Sequence, residues 1–335
     1  MRRIIMLGIH FLKRIQKEAK AFGGHRRNFG LKIAWLIFVD GLVPPGKSEK
    51  YIKGIEEYVA NYLKPLVTKY QNDSYQPGTS MDTSFSKIPV WCCWWQGVEK
   101  MPEIVKMCND RLRMVLPEKA ELHMITEQNY KQYVDFPEHI MDKFQQGKMS
   151  ITAFSDILRV TLLSEYGGFW IDSTVLVSGV FPEEFISSNF YAQKMYDPVK
   201  WKREACKGRW CGFMMAGSKN NIIFRFLRDA YYMWWKDYDD VIDYVILDYF
   251  LLAAYHSLSV VKAQIDAVSN NNEDVFEMFK VLHQPYSEEL FSKLTQRTVM
   301  HKLTYKIDLV KKTDKGKDTL YMHLLKCVNG KKEFI

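Results

Sequence analysis

One segment, residues 150–174, constrains the fold of this chain more strongly than any other. Its first part, Ser150 to Glu165, carries apolar residues at the spacing of one helical stripe: Ile151, Phe154, Leu158 and Leu162. Gly167-Gly168 predicts the end of that helix, because glycine tolerates the left-handed conformation. Phe169 to Ile171 then has the aromatic and β-branched content of a buried strand. The segment therefore predicts a helix that runs into a short strand.

Three charged side chains accompany this helix and strand. Asp156 and Arg159 lie on the helix, roughly 80 to 140° around its axis from the apolar stripe, and Asp172 directly follows the strand. Taken singly, they are typical of an i,i+3 surface pair and of a turn. Taken together they favour a binding site, because ligands of open α/β sheets lie outside the carboxyl ends of the strands.

The central region alternates strands with helices. Strands are predicted over residues 90–95, 120–125, 169–171, 190–195 and 210–216. Helices are predicted over residues 102–114, 127–133, 137–145 and 150–165, and a mostly helical part follows from residue 221 to about residue 294. This alternation predicts an α/β fold with mainly parallel strands.

The first of these strands ends in Trp94-Trp95-Gln96-Gly97. Two indoles and an amide at a strand end could stack on a nucleotide base and hydrogen-bond to it. A tryptophan pair can equally belong to the core, because aromatic side chains are usually well buried. The two interpretations stay open at this stage.

The positive charge is concentrated at the amino-terminal end. The 335-residue chain has a formal net charge of +8, and residues 1–86 hold 14 basic against 7 acidic side chains. Within residues 1–32 the basic residues interleave with aliphatic ones, which is typical of a helix that contacts anionic lipid. A solvated helix that covers the main domain is an equal alternative. Nucleic-acid binding is a weaker third interpretation, because the segment has no recognisable nucleic-acid module and few clustered aromatic residues, so no nucleic-acid partner is expected.

The cysteines and the amino-terminal sequence favour a cytoplasmic protein. Six cysteines show no CxxC pair and no regular framework, and no signal-peptide pattern precedes residue 30. The most apolar run, residues 31–43, is shorter than the roughly 20 residues a spanning helix needs. We therefore expect a cytoplasmic protein, at most peripheral on the inner face of the cell membrane.

A set of motifs in fixed order resembles a known family. The motifs are Ile88-Pro89-Val90-Trp91, Trp94-Trp95-Gln96-Gly97, Met101-Pro102-Glu103-Ile104-Val105, Phe154-Ser155-Asp156-Ile157-Leu158-Arg159, Tyr166 to Thr174 and His301-Lys302-Leu303. Together they resemble the bacterial capsular polysaccharide synthesis proteins, which are GT-A type glycosyltransferases related to the DxD-containing sugar transferases. The resemblance covers roughly residues 88–310.

The resemblance implies a GT-A-like, Rossmann-type mixed sheet flanked by helices. It implies three parts of the chain: a basic helical extension with a linker over residues 1–86, a glycosyltransferase domain over residues 87–310, and a tail over residues 311–335. The implied activity moves a sugar, expected to be a hexose, from a nucleotide-sugar donor to a capsular polysaccharide or a lipid-linked glycan. The alternative is a catalytically degenerate subunit of the same fold that binds or scaffolds polysaccharide assembly.

The resemblance also implies roles for individual residues. Asp172 and Asp243 are the expected catalytic residues, and Asp172 with His301 would hold a divalent Mn or Mg cation. The donor would contact Trp94, Trp95, Gln96, Asp156, Arg159, Gly168, Trp170, Thr174 and Lys302. A DxD motif would require an acid at position 174, where this chain has Thr174. That departure motivates the alternative of a degenerate subunit, because hard cations prefer carboxylate oxygen to a neutral hydroxyl.

Overall fold

A five-stranded mixed sheet forms the centre of the protein. The computed structural model describes residues 2–73, 85–183, 185 and 188–334, with side chains from residue 12 onward. The strands are β1 (Ile88–Cys93), β2 (Ala120–Ile125), β3 (Gly168–Ile171), β4 (Val175–Val177), β5 (Phe190–Ala192), β6 (Met214–Gly217) and β7 (Met300–Lys302). The large sheet has the order β2-β1-β3-β6-β5, and β4 pairs with β7 in a separate ribbon.

Helices cover this sheet and extend beyond it. They are α1 (Arg2–Leu42), α2 (Glu49–Tyr62), α3 (Lys64–Gln71), α4 (Glu103–Val115), α5 (Glu138–Gln145), α6 (Ile151–Glu165), α7 (Ile222–Asp237), α8 (Ile246–Ser257), α9 (Ser259–Ala267), α10 (Glu288–Thr295) and α11 (Leu320–Asn329). The predicted α/β class with a helix-flanked mixed sheet is confirmed.

The strand directions refine that prediction. β1 is parallel to both β2 and β3, whereas β6 is antiparallel to β3 and to β5. The sheet is buried on both faces, because Trp91 and Trp170 point into one hydrophobic cluster while Val90 and Phe169 point into another. Only β6 therefore runs against the other four strands, and the alternation of helices and strands along the chain could not reveal this one reversed strand.

Several predicted elements differ from the observed ones. The strand predicted over residues 210–216 begins only at Met214, and the helix predicted over residues 127–133 is a single 3-10 turn, Tyr130–Gln132. The three-residue strands β4 and β7 were not predicted, because three residues carry too short a pattern to be recognised. Helix α6 is buried nearly all round, yet its first residue, Ile151, is 43% exposed.

The amino-terminal helices pack into the main core. Tyr51 and Ile55 of α2 and Leu66 of α3 belong to the same hydrophobic cluster as α6, α7 and α8. Helix α1 bends at Gly30, whose φ of 82° interrupts the helix. The predicted division at residue 86 therefore does not coincide with a break in packing.

The carboxyl-terminal part is also packed. Helix α11 contributes Leu320 and Leu324 to a cluster shared with α4. The Arg111 guanidinium, buried on α4, donates to the Glu333 carboxylate at 2.6 Å. The segment 311–335 that was predicted as a tail thus includes a helix attached to the sheet through α4.

Candidate active site

A cavity of about 700 Å³ opens at the carboxyl ends of β1 and β3. These two strands are parallel neighbours, with Val90 beside Phe169 and Trp91 beside Trp170. The residues that follow them, 94–96 and 172–174, therefore reach the same edge of the sheet and line the cavity. This is the edge at which open α/β sheets bind ligands.

The centre of the cavity wall is a cluster of two carboxylates and two cations. The Asp172 carboxylate accepts from Lys302 Nζ at 2.6 Å on one oxygen and from Arg159 Nη2 at 3.3 Å on the other. The same second oxygen accepts from the Trp170 indole N–H at 2.9 Å. Arg159 Nη1 also lies 3.1 Å from the Asp156 carboxylate. All five side chains line the cavity.

Strand periodicity explains why these side chains meet. Asp172 lies two residues beyond Trp170 and therefore points to the same face of the sheet, toward α6. Asp156 and Arg159 are three residues apart on α6, so both are directed to that sheet edge. The predicted grouping of Asp156, Arg159 and Asp172 agrees with this geometry.

Lys302 joins the cluster through the small ribbon. β7 pairs with β4 so that Lys302 lies beside Val175, three residues after Asp172. The Leu303 N–H then donates to the Thr174 carbonyl at 2.9 Å. Two segments that are 130 residues apart in sequence are thereby held side by side at the cavity.

The cluster sets the protonation of both carboxylates. Burial would raise the pKa of Asp172, but the adjacent Lys302 and Arg159 cations outweigh it and lower that pKa below its usual value. Burial raises the pKa of Asp156 to about 6, although Arg159 acts in the opposite direction. The protein thus holds an ionised carboxylate and, beside it, one whose pKa is raised to about 6.

Arg159 is confined by the loop that precedes β6. Its guanidinium lies 5.0 Å from the centre of the Trp170 ring. A Cβ on Gly212 would come within 2.8 Å of Arg159 Nη1, so a larger residue there would displace the guanidinium. The centre of the Phe213 ring lies 5.0 Å from Lys302 Nζ, and the Phe213 carbonyl accepts a hydrogen bond from the Asp172 N–H. Gly212 and Phe213 of this loop therefore lie against Arg159, Lys302 and Asp172.

The two tryptophans at the end of β1 have different surroundings. Trp95 is buried and packs against the rings of Tyr130, Phe144 and Phe154. Trp94 is half-buried, and its ring meets that of Tyr305 edge-on at 5.4 Å. Both line the cavity, as does the exposed Gln96. Trp94 is thus the better placed of the two to contact a ligand.

The structure does not bring His301 to the cavity. In β7 it points to the side opposite Lys302, is completely buried, and its Nε2 lies 2.9 Å from the Ser178 hydroxyl. Burial lowers the pKa of His301 to about 3, so the ring is neutral. The expectation that His301 joins Asp172 at a metal disagrees with this placement, because alternate residues of a strand face opposite sides.

Gly168 is likewise remote from the predicted donor site. It begins β3, whereas the cavity lies at the other end of that strand. A Cβ at this position would come within 2.2 Å of the Pro89 carbonyl oxygen, and φ is +94°. The glycine is required for close approach of β3 to β1 rather than for contact with a donor.

Asp243, predicted as catalytic, lies outside the residues that line the cavity. Its buried carboxylate accepts from the Tyr51 hydroxyl at 3.0 Å and from the Val245 N–H at 3.0 Å, and it lies 3.3 Å from Lys47 Nζ. Tyr51 and Lys47 belong to the amino-terminal region. Asp243 therefore fastens α2 to the start of α8, a role that no local sequence pattern indicated.

Some cavity residues were missed by sequence reasoning. Lys100 and Lys306 add two exposed cations to the wall, and Tyr305 adds an exposed aromatic ring beside Trp94. Tyr305 and Lys306 follow directly on the His301-Lys302-Leu303 motif, which is the one signal that could have indicated them. Lys100 lies on a 3-10 turn after the first strand and carries no comparable signal.

The described residues fit a divalent cation poorly. Within the parts of the chain that the structure describes, no group of three His, Cys, Asp or Glu side chains is placed to hold a metal ion. Asp172 is the one carboxylate at the predicted position, and both its oxygens already accept from cations. Thr174 is buried and offers only a neutral hydroxyl.

Comparison with known proteins defines the class. The model of the capsular polysaccharide synthesis protein family matches residues 45–324. The chain therefore belongs to this family, which confirms the resemblance seen in its motifs. The match begins before residue 88 and ends after residue 310, and it includes α2, α3 and part of α11, in agreement with their packing into the core.

Two further comparisons add little. A search among curated proteins gives no significant match. The solved structure of the PaToxG glycosyltransferase aligns with 74% of this chain and 93% of its own, at 17% identity and a TM-score of 0.38. That score is too low to support an argument about this protein.

Among the residues that the structure describes, no helix is both long enough and apolar enough to cross a bilayer.

Proposed function

We propose that this protein is a GT-A type glycosyltransferase that moves a sugar from a nucleotide-sugar donor to a capsular polysaccharide or a lipid-linked glycan. The observation that carries this proposal is the ionised Asp172, held between Lys302 and Arg159 in a cavity at the carboxyl ends of β1 and β3. Membership in the capsular polysaccharide synthesis family supports the same class of substrate.

The proposed donor lies across the cavity. The base stacks on Trp94 and hydrogen-bonds to Gln96, since an indole and an amide at the end of β1 match the flat, polar character of a base. Asp156 and Arg159 contact the ribose or the donor sugar, with the carboxylate accepting from hydroxyl groups. The diphosphate then lies toward Lys302, one of the cations that line the cavity.

The transfer requires stabilisation of a leaving group. The bond between the anomeric carbon of the sugar and the diphosphate oxygen breaks, and that oxygen keeps the electron pair. The acceptor hydroxyl oxygen forms the new bond to the anomeric carbon, and its proton passes to water or to the departing diphosphate. Lys302 and Arg159 would stabilise the charge that develops on the diphosphate, with Lys100 and Lys306 at the cavity wall.

Asp172 prepares these cations before the donor binds. Its carboxylate fixes Lys302 and Arg159 by charge-assisted hydrogen bonds, and the Trp170 indole N–H fixes the carboxylate. Cations that are already oriented need no reorganisation when charge develops in the transition state. The low pKa of Asp172 suits this electrostatic role better than proton abstraction.

A divalent Mn or Mg cation remains a prediction of the family resemblance. When bound, such an ion would polarise the diphosphate. Because one already paired carboxylate fits it poorly, the proposed chemistry assigns every step to side chains of the chain. Donor hydrolysis in the presence of a chelator tests the point, since a metal-dependent transferase loses its activity there.

The proposed location is the cytoplasm, with the protein held peripherally at the inner face of the cell membrane. A lipid-linked acceptor would be presented at that surface. The proposal includes no nucleic-acid partner.

The decisive experiment is a screen of nucleotide sugars for thermal stabilisation and for donor hydrolysis. A donor that binds the folded state raises its apparent stability by mass action. Asp172→Asn should abolish hydrolysis in a folded protein, whereas Asp243→Asn, which changes a buried carboxylate outside the cavity lining, should retain it. A folded and fully active Asp172→Asn variant would disprove the proposal.

The second candidate is a degenerate subunit that scaffolds polysaccharide assembly, and Thr174 is the observation that favours it. Calorimetry with uridine nucleotides, with and without Mn²⁺, separates the two candidates. A scaffold that has lost its site should bind no nucleotide under either condition. The transferase should bind the nucleotide through the Trp94 side of the cavity.

A further inference from the structure

The second half of α1, together with Val43 directly after its last residue, carries a row of exposed apolar side chains. Leu31, Trp35, Val39 and Val43 are 60%, 59%, 43% and 65% exposed. They recur every four residues, which keeps them on one side of the helix. Monomeric proteins seldom leave such a row open to water unless it meets a partner or a membrane.

The row borders a groove of about 850 Å³ between this half of α1 and helix α2. The groove is built by packing that is tight on its inner side, where a Cβ on Gly54 of α2 would come within 2.5 Å of Leu36. Trp35 is also supported from within α1, because its ring contacts those of Phe22 and Phe38. The exposed row is therefore held on a firm support.

The surroundings of the groove are positively charged. Lys32, Lys50 and Lys53 line it, together with the acidic Asp40 and Glu57. The Asp40 carboxylate already accepts the backbone N–H groups of Lys47 and Ser48. Over residues 12–61, which include the whole lining of the groove, the chain has ten basic and five acidic side chains, so this region carries an excess of positive charge.

We propose that this face, formed by Leu31, Trp35, Val39 and Val43 with the lysines beside them, docks on an anionic lipid bilayer. Aliphatic side chains and an indole on one side of a helix, bordered by lysines, match the boundary between acyl chains and anionic headgroups. Lysine stems also lie along apolar surface while their charged ends reach the headgroups. A protein partner would have to supply matching acidic side chains, whereas an anionic leaflet presents negative charge everywhere.

The proposed membrane contact lies further along the chain than the contact predicted from the sequence. Sequence reasoning assigned it to residues 1–32, where basic and aliphatic residues interleave. The structure places the exposed apolar row after Gly30, on the part of α1 that packs beside α2. The proposal does not depend on the transfer reaction, because it concerns a surface separate from the cavity lining.

Vesicle co-sedimentation of the full chain tests the proposal. The vesicles contain phosphatidylcholine alone, or phosphatidylcholine and phosphatidylglycerol in a ratio of about two to one. The unaltered protein should sediment with the anionic vesicles. Combining Leu31→Ser with Trp35→Ser should weaken this binding about tenfold or more, because both apolar contacts are lost. Combining Lys50→Glu with Lys53→Glu should weaken it by at least about 30-fold.

Matched controls change equally exposed residues elsewhere. Val199→Ser removes an exposed apolar side chain, and Lys315→Glu with Lys317→Glu reverses two exposed charges. Neither control should alter vesicle binding. Circular dichroism verifies that each variant is folded, and the lysine variants keep the proposal testable if the serine variants do not fold.

Three results would overturn the proposal. The first is the absence of binding to anionic vesicles, and the second is equal binding by the variants and the unaltered protein. The third is a lipid-free dimer that the serine variants convert to a monomer, since the face would then join two copies of the chain. Donor hydrolysis measured on the same variants separates each of these results from a failure of the proposed transferase function.

Discussion

Asp172 and Asp243 are both largely enclosed carboxylates that were predicted to be catalytic, and the structure gives them different surroundings. Asp172 accepts from Lys302, Arg159 and Trp170 and borders the cavity. Asp243 accepts from the Tyr51 hydroxyl and lies beside Lys47, outside the cavity lining.

The difference lies in which elements supply the partners. The partners of Asp172 come from strand ends and from α6, which meet where the sheet leaves space for a ligand. The partners of Asp243 are Tyr51 on α2, Lys47 in the loop before α2 and the Val245 N–H, and none of these residues lines the cavity. A buried, paired carboxylate is therefore evidence for a site only when an open cavity adjoins it.

The largest expected effect separates these two aspartates by activity. Asp172→Asn removes the charge that orients Lys302 and Arg159, so the transfer rate should fall about 10³-fold, or about 4 kcal/mol in activation free energy. Asp243→Asn should leave the rate per folded molecule nearly unchanged. Turnover assays on folded samples of both variants make the test, and equal losses would remove the distinction.

The next effect compares the two lysines. Lys302→Met removes the cation proposed to meet the diphosphate, and the rate should fall about 10²-fold. Lys47→Met removes the cation beside Asp243 and should not affect turnover. Initial rates at saturating donor give the result. A slow Lys47→Met variant would show that the contact between Lys47 and Asp243 affects the transfer.

The free energy of unfolding should depend strongly on Asp243, the aspartate that is not expected to affect turnover. Asp243→Ala leaves the Tyr51 hydroxyl and Lys47 without their acceptor, so the free energy of unfolding should fall by about 2 kcal/mol. Tyr51→Phe, which removes only the hydroxyl, should cost about 1 kcal/mol. Urea denaturation measures both changes. An unchanged midpoint for Asp243→Ala would show that the contacts of Asp243 with Tyr51 and Lys47 contribute nothing to stability.

A smaller effect distinguishes the adjacent tryptophans. Trp94→Ala should weaken nucleotide binding about tenfold, because stacking of a base on an aromatic ring contributes on the order of 1–3 kcal/mol. Trp95→Ala should instead lower the thermal midpoint, since Trp95 packs among Tyr130, Phe144 and Phe154. Calorimetry and thermal denaturation on both variants would show whether the two positions divide these roles.

The smallest effect concerns a third carboxylate, Asp248, which accepts from the Trp210 indole N–H at 2.9 Å. Burial raises its pKa to about 7, so the folded state binds a proton that the unfolded state has released. The stability from this group is full below about pH 4 and is lost as the pH rises through about 7. Asp248→Asn should lack that decline in unfolding free energies measured from pH 4 to pH 8, and an unaltered pH profile would contradict the assignment.

The sequence indicated the site best where local pattern and strand order agree. The helix over residues 150–165, the glycine turn and the strand before Asp172 were all recognisable from spacing, and parallel pairing of β1 with β3 brought their ends together. Lys302 was indicated by the family motif alone, because its position depends on the pairing of β7 with β4. The same motif misplaced His301, since it does not specify which side of a strand faces the ligand.

The sequence by itself determined the α/β class, the family, and the arrangement of Asp156, Arg159 and Asp172, because helical and strand periodicity act over a few residues. Only the tertiary structure decided that Lys302 reaches Asp172, that Asp243 and His301 do not line the cavity, and that the row from Leu31 to Val43 stays exposed. Each of these outcomes depends on which distant segment packs beside the residue, and contacts of that range are not encoded in any local pattern.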